Sequence, residues 1–180
     1  MERNVTHIAL FAALIVVLGL VPKIDVGIGV PITAQSMGIM LCGTVLGSWR
    51  GALAVLLFLG LGLIGLPVLS GGRTVLAALA TPSVGYLIGF PVAAFVAGLV
   101  VERWAAPILP AALAGAVIGG IVVLYAFGIP GIAVMSGKPM GEAFWGAMVF
   151  LPGDAIKAVL AALVTQGVAQ ARPGALLSRA

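Results

Sequence analysis

Two opposite charges stand close together in an otherwise apolar stretch near the carboxyl end of the chain. Asp154 and Lys157 are three residues apart, so both side chains share one face of a helix. A charge inside an apolar span costs about 3 kcal/mol even on lenient scales, and such residues usually face a cavity or the bundle interior. Asp154 could accept hydrogen bonds from N–H groups of a ligand, and Lys157 could donate to a carbonyl or carboxylate. The alternative interpretation is an ion pair that locks the helices together.

Two further groups of polar residues could contribute to the same site. Thr33 and Gln35 open the second apolar stretch and bring a hydroxyl and an amide to its start. Their alternative role is an ordinary helix start with Thr33 as the cap. Ser83 and Tyr86 open a later apolar stretch, where Tyr86 combines an aromatic body with a hydroxyl. The alternative here is a helix cap, with Tyr86 at the membrane interface.

The remaining reactive residue types give no sign of catalysis. His7 is the only histidine and Cys42 the only cysteine, which excludes an intrachain disulfide and a cysteine-based metal motif. We interpret Cys42 as a packed core thiol, His7 as structural or interfacial, and Arg73 as a solvated loop charge. Because no nucleophile–base pair stands out either, we expect no enzyme and no bound metal or cofactor.

The composition indicates that lipid is the solvent of this chain. Of its 180 residues, 62% are hydrophobic and 8% are charged, whereas soluble domains average about 45–50% apolar and about 25% charged residues. The net charge of +4 comes from basic residues scattered singly, which argues against nucleic-acid binding. The chain has no nucleotide-binding Gly-Lys-Ser/Thr loop, so any energy source lies elsewhere. We expect a single transmembrane domain over residues 1–180.

Long apolar runs without alternation predict an all-α integral membrane protein of about six transmembrane helices, with a short extra helix in an outer loop. The predicted spans cover residues 5–21, 32–46, 52–66, 81–101, 108–127 and 143–169. The short helix is expected in the apolar stretch that ends at Ala80. Residues 128–140, rich in Gly and Pro, are expected to form a long loop. We also expect a break near Pro152 and Gly153, and a solvated tail from Arg172.

The positions of the basic residues predict the orientation. With six spans both termini lie on one side, and the predicted loops divide the Lys and Arg residues five against three. The side of the termini holds Arg3, Arg50, Arg103, Arg172 and Arg179, and the other side holds Lys23, Arg73 and Lys138. Basic loops are typically cytoplasmic, so we expect both termini in the cytoplasm.

Four segments, in this order and spacing, resemble a known family along most of the chain. They are GVPITAQ at residues 29–35, the stretch 60–67 followed by SGG at 70–72, PSVGYLIGFP at 82–91, and FLPGDAIK at 150–157. Together they resemble the BioY family, the biotin-specific substrate-binding component of energy-coupling-factor (ECF) transporters.

The resemblance implies high-affinity capture of biotin and its uptake across the bacterial cytoplasmic (inner) membrane by a multi-pass protein. The expected partners are biotin, a transmembrane coupling protein and two cytoplasmic ATPase subunits. It also implies a docking role for the small-residue pair Ala9 and Ala13, which lets another helix approach closely. Whether the chain works alone, as a homo-oligomer or only with the ATPases stays open.

Biotin also fits the chemistry of the candidate residues. Asp154 suits the ureido N–H groups, Lys157 the carbonyl or the carboxylate, and Tyr86 with apolar walls the bicyclic ring. The set of expected contacts is Thr33, Gln35, Ser83, Tyr86, Asp154 and Lys157.

Three alternative functions remain at this point. The chain could capture another vitamin, such as thiamine or riboflavin. It could be a non-transporting structural membrane subunit, in which Asp154 and Lys157 serve as the lock. An ion or proton channel would need a wet path lined by more polar groups than the sequence provides.

Overall fold

The computed structural model describes residues 2–25, 27 and 29–179, without the side chains of Glu2 and Arg3. Within these residues the regular structure is helical, as the sequence predicts. Seven helices follow one another: α1 (Glu2–Leu18), α2 (Gln35–Leu46), α3 (Ser48–Leu63), α4 (Val75–Leu79), α5 (Val84–Arg103), α6 (Ile108–Ser136) and α7 (Met140–Ala171). The short α4 is the extra helix expected before Ala80.

Three of these helices, α5, α6 and α7, are long and apolar enough to cross a membrane, with 20, 29 and 32 residues. The other long elements, α1, α2 and α3, are apolar but shorter. Helix α5 packs against α2, α3 and α6, and α2 also packs against α7. The core therefore lies around α2 and α5, and α2 is buried along nearly its whole length.

Glycine allows the two central helices to approach closely. A Cβ built on Gly43 of α2 would overlap the carbonyl oxygen of Ala94 in α5 and come within 2.7 Å of the Ala97 side chain. Small residues at crossings let backbones approach and pack in apolar surroundings, where the hydrophobic effect between helices is weak. Gly43 is thus part of the contact that holds α2 against α5.

The prediction of a long loop over residues 128–140 is wrong, because α6 continues to Ser136. The glycines in this part of α6 allow close packing against α5. Gly128 lies against the ring of Tyr86, and Gly131 contacts Gly85 of α5. Interior Pro130 is accommodated within the helix. A π-helical segment, Ile118–Val123, lies in the middle of α6. In lipid the backbone must satisfy its own hydrogen bonds, which favours helix even where Gly and Pro occur.

The break expected near Pro152 and Gly153 lies just before these two residues. A 3₁₀ turn, Met148–Phe150, precedes them, and both residues belong to the α-helical segment Leu151–Ala171. Pro152 lies in the first turn of that segment, where a missing N–H and a fixed φ are well tolerated. Most other helix ends shift by a few residues; α1, for example, ends at Leu18.

The carboxyl-terminal tail is not solvated as expected. Leu176, Leu177 and Ser178 are buried against the end of the bundle. The Ser178 hydroxyl donates to the Thr44 carbonyl at 2.6 Å, and Arg50 Nη1 donates to the Leu177 carbonyl at 3.2 Å. Two leucines with an apolar surface to cover are enough to draw a short tail onto the protein. The tail therefore ties α2 and α3 together at this end.

The close crossing of α2 and α5 generates a prediction about stability. Gly43→Ala should lower the midpoint of thermal unfolding in detergent by roughly 2–12 °C, because the new methyl group overpacks the crossing. Gly60→Ala in α3 is the matched control, since a Cβ there would meet nothing within 4 Å. Gly60→Ala should be neutral or stabilising, because Ala is the better helix former. Equal midpoints for the two variants would refute the role of Gly43.

Candidate ligand-binding site

A cavity of about 630 Å³, counting its open mouth, lies between α2, α5, α6, α7 and the loops before α2 and α4. All six residues expected to contact the ligand line it: Thr33, Gln35, Ser83, Tyr86, Asp154 and Lys157. The structure thus brings together residues separated by more than a hundred positions in sequence. Their contact with a ligand stays a prediction.

Much of the cavity wall is apolar and aromatic. Its apolar side chains include Val30, Ile32, Leu87, Phe90, Leu124 and Phe150. The ring of Tyr86 meets Tyr125 and Phe150 edge to face, with centroids 6.3 and 6.1 Å apart. Such pairs hold each ring in a fixed orientation. The cavity can therefore present a rigid surface to an apolar ring.

The buried carboxylate of Asp154 is the centre of a polar network. Lys157 Nζ lies 2.9 Å from Asp154 Oδ1, and the Tyr125 hydroxyl donates to Asp154 Oδ2 at 2.9 Å. Ser36 Oγ donates to Asp154 Oδ1 at 3.3 Å and accepts from Lys157 Nζ at 3.0 Å. The sequence did not single out Tyr125 or Ser36 for this role, because their approach to Asp154 is tertiary.

The network still leaves hydrogen-bonding capacity for a ligand. A carboxylate offers about four acceptor positions and an ammonium group three N–H donors. Asp154 accepts three of the bonds described, and Lys157 donates two of its N–H groups. One acceptor position on Asp154 and one N–H of Lys157 thus remain, three residues apart on the same helix face.

Arg73 is half-buried and lines the cavity as well, which differs from the fully solvated loop charge expected from the sequence. Among the described residues, Arg73 Nε and Tyr86 Oη are buried without a hydrogen-bond partner. A buried polar group left unpaired costs about 1–3 kcal/mol, which a suitable ligand would recover. The turn that directs Arg73 inward uses Gly71 and Gly72, both with positive φ. The two adjacent glycines before Arg73 were the only sign in the sequence of a tight turn at this arginine.

Arg73 also sets the charge of the cavity. Of the described residues that line it, those with a charge are Arg73, Asp154 and Lys157. Asp154 and Lys157 neutralise each other, so the cavity carries one net positive charge. A ligand with one negative charge is therefore favoured over a neutral or cationic one.

Gln35, Ser83 and Thr33 differ in how they meet the cavity. The Gln35 side chain is engaged by the protein through both its nitrogen and its oxygen. The Ser83 hydroxyl donates to the Gly29 carbonyl at 3.4 Å, which joins the start of α5 to the loop before α2. Thr33 lines the cavity but does not cap α2, whose N-cap position is Ala34.

The small-residue pair of α1 lies away from the cavity. Ala9 and Ala13 are both exposed, whereas Ala12 and Ile15 face the core. Ala9 and Ala13 thus form a shallow strip on the outside of the bundle. Its use in docking stays a prediction.

Comparison with known proteins shows close relatives over nearly the full length. A sequence model of the BioY family matches residues 2–174. The biotin transporter BioY of Rhodobacter capsulatus is 54% identical, with 99% of this chain and 100% of that protein covered. The biotin transporter BioY of Rhizobium etli is 53% identical, with 92% of each chain covered.

A solved structure has the same fold. The S-component for biotin from an ECF-type ABC transporter superposes with a TM-score of 0.89 at 33% identity, covering 94% of this chain and 92% of that one. Its agreement with the helices described above identifies the present structure as that of an S-component-like membrane protein. With a family match across almost every residue and relatives more than half identical, the chain belongs to the BioY family.

Proposed function

We propose that this protein captures biotin with high affinity and serves its uptake across the bacterial cytoplasmic membrane, as the substrate-binding component of an ECF-type transporter. The observation that carries the proposal is the cavity itself, which joins apolar walls, a paired Asp154 and Lys157, and the unpartnered Nε of Arg73. The names of the relatives point to the same ligand. The proposed activity is capture and transport, not catalysis.

Biotin matches the free positions of the cavity group by group. Its ureido N–H can donate to the acceptor position that remains on Asp154, and Lys157 can donate to the carbonyl or the carboxylate. The thioether ring fits between the aromatic walls around Tyr86. The carboxylate supplies the single negative charge that the cavity favours, and the Arg73 guanidinium can bind it in a fork geometry. Arg73 is thus a proposed ligand contact that the sequence analysis did not expect.

A purely structural role explains fewer of these features. A lock between helices accounts for the bonds of Asp154 with Lys157, Ser36 and Tyr125. It gives no reason for Arg73 Nε and the Tyr86 hydroxyl, in two residues that line the cavity, to be buried without partners. The buried, unpartnered groups therefore favour a ligand over a lock.

We further propose that the whole chain forms one transmembrane domain with six spans. Helices α1 to α3 are shorter than the approximately 20 residues that cross a bilayer. The irregular residues 30–34 extend α2 at its start, and residues 30–33 line the cavity. Irregular backbone at membrane depth is tolerated in such a position. In this arrangement α4 lies in an outer loop.

The grouping of the basic residues supports cytoplasmic termini. Arg50 donates to the Leu177 carbonyl of the carboxyl-terminal tail, and Arg179 of that tail donates to the Trp104 carbonyl just after α5. The two arginines therefore share one end of the bundle. At the other end Lys23 lies beside Gly71, near Arg73. The side chain of Arg3, which also enters the count from the sequence, lies outside the described residues. Arg50 and Arg179, two members of the larger basic group, thus lie at the end of the bundle that holds the carboxyl-terminal tail.

The partners follow from the same proposal. A transmembrane coupling protein would dock on the strip formed by Ala9 and Ala13, and two cytoplasmic ATPase subunits would drive uptake. Function without them, alone or as a homo-oligomer, is the alternative that an uptake assay decides.

The first test is calorimetric titration of biotin into the purified protein in detergent. Asp154→Asn and Lys157→Ala should each weaken binding at least about 30-fold, because truncating one partner of a buried charge pair costs about 2–5 kcal/mol. Lys138→Ala is the control, since Lys138 is exposed and lies outside the cavity. Tighter binding of thiamine or riboflavin than of biotin, or no heat with biotin from folded protein, would reject biotin as the ligand.

The charge of the cavity predicts a selective effect of Arg73. Arg73→Met should weaken binding of biotin by about tenfold or more, because a charge-assisted hydrogen bond contributes about 1.5–3 kcal/mol. Binding of biotin methyl ester, which has no charge, should change little. Arg103→Met, an exposed arginine at the end of α5, serves as the control. An equal loss for biotin and its ester would show that Arg73 does not bind the carboxylate.

The docking strip predicts a separation of binding from transport. Ala9→Leu combined with Ala13→Leu should leave biotin affinity intact and lower ATP-driven uptake, because the added side chains keep the coupling helix at a distance. Ala126→Leu, at an exposed position of α6, is the control for added bulk. Unchanged uptake in cells with proven ATPase partners would refute docking on this face.

A further inference from the structure

Gln35 lines the cavity, yet its amide is engaged by the protein. Nε2 donates to the Ile15 carbonyl at 3.1 Å and to the Val68 carbonyl at 3.0 Å, while Oε1 accepts from the Ser70 N–H at 3.0 Å. A primary amide has two N–H groups, so both donors are in use. A ligand could take a hydrogen bond from Gln35 only by breaking one of these.

The three bonds join three separate parts of the fold. Gln35 is the first residue of α2, Ile15 belongs to α1, and Val68 with Ser70 belongs to the α3–α4 loop (residues 64–74). Gln35 is only 3% exposed, and a Cβ built on Gly19 would come within 2.8 Å of its Nε2. The amide is therefore held in one orientation by its surroundings.

The α3–α4 loop transmits this fixation to the cavity. Leu69, between the two residues that Gln35 holds, donates its N–H to the Arg73 carbonyl at 3.0 Å, and the Gly72 N–H donates to the Leu69 carbonyl at 3.0 Å. Leu69 and Arg73 are thus paired through their backbones at the two ends of a tight turn. The backbone of Arg73 is tied to Leu69, and Leu69 is flanked by the bonds to Gln35.

We propose that Gln35 is a positioning residue for ligand capture, which holds the Arg73 guanidinium against the cavity through Val68 and Ser70. The inference rests on the proposed function, in which Arg73 binds the biotin carboxylate. A loop that is held before the ligand arrives does not have to be ordered on binding, and this raises the affinity. Gln35 then acts through Arg73 instead of touching the ligand itself.

A double-mutant cycle separates this role from a direct contact. Gln35→Met keeps the length of the side chain and removes its hydrogen bonds. It should weaken biotin binding about tenfold, equivalent to about 1.4 kcal/mol. The double variant with Arg73→Met should bind biotin no more weakly than Arg73→Met alone. Independent sites give additive losses, so additive losses here would overturn the proposal and favour direct contact of Gln35 with biotin.

A second buried polar residue of α2 provides the matched control. Thr44 is fully buried, and its hydroxyl is 2.8 Å from that of Thr165 in α7. Thr44→Val loses a tertiary hydrogen bond of α2 outside the cavity, so it should lower thermal stability without changing biotin affinity. If Thr44→Val weakened biotin binding as much as Gln35→Met, general stability would explain both effects and the proposal would fail.

Hydrogen–deuterium exchange tests the same link without any ligand. In the ligand-free protein, Gln35→Met should speed exchange of the Ser70 amide by about tenfold, because it removes that amide's acceptor. Arg73→Met should leave it unchanged. Unchanged exchange in Gln35→Met, with biotin binding intact in the wild type, would overturn the positioning role alone. A folded wild type that binds no biotin would instead overturn the proposed function, and with it the inference.

Discussion

The ion pair between the buried Asp154 and the half-buried Lys157 is the constraint on which the rest of the structure depends. Two charges in an apolar bundle are tolerated only with good geometry and further hydrogen bonds. Ser36 from α2 and Tyr125 from α6 supply those bonds to α7. Satisfying the pair therefore requires three helices to meet at one level. The cavity lies where they meet, so the conditions for burying the charges also place polar groups around a ligand.

The charge balance of the cavity follows from the same pair. Because Asp154 and Lys157 neutralise each other, the arginine that the α3–α4 loop directs inward decides the net charge. A neutral pair offers one acceptor and one donor position, and Arg73 adds an unpartnered donor. A compact ligand with N–H groups, a carbonyl and one carboxylate uses all of these. Neither a lock nor a channel requires this combination.

The sequence predicted the parts of the site that depend on local spacing. Asp154 and Lys157 share a face of their helix however the helices pack. An all-helical membrane protein follows from apolar runs without alternation. The sequence could not predict the bond from Tyr125 to Asp154 or the inward position of Arg73, since both depend on tertiary contacts. The prediction of a loop at residues 128–136 was wrong because Gly and Pro are typical of loops in soluble proteins. In α6, Gly128 instead provides a surface for the ring of Tyr86.

A polar residue beside a cavity is a ligand contact only if its hydrogen-bonding capacity is free. Gln35 and Tyr86 have equally suitable side chains and line the same cavity. Gln35 has both N–H groups occupied by backbone carbonyls, whereas the Tyr86 hydroxyl is buried without a partner. The first is therefore suited to hold the wall and the second to meet the ligand. Residue type identifies the candidates, but only the count of occupied donors and acceptors assigns their roles.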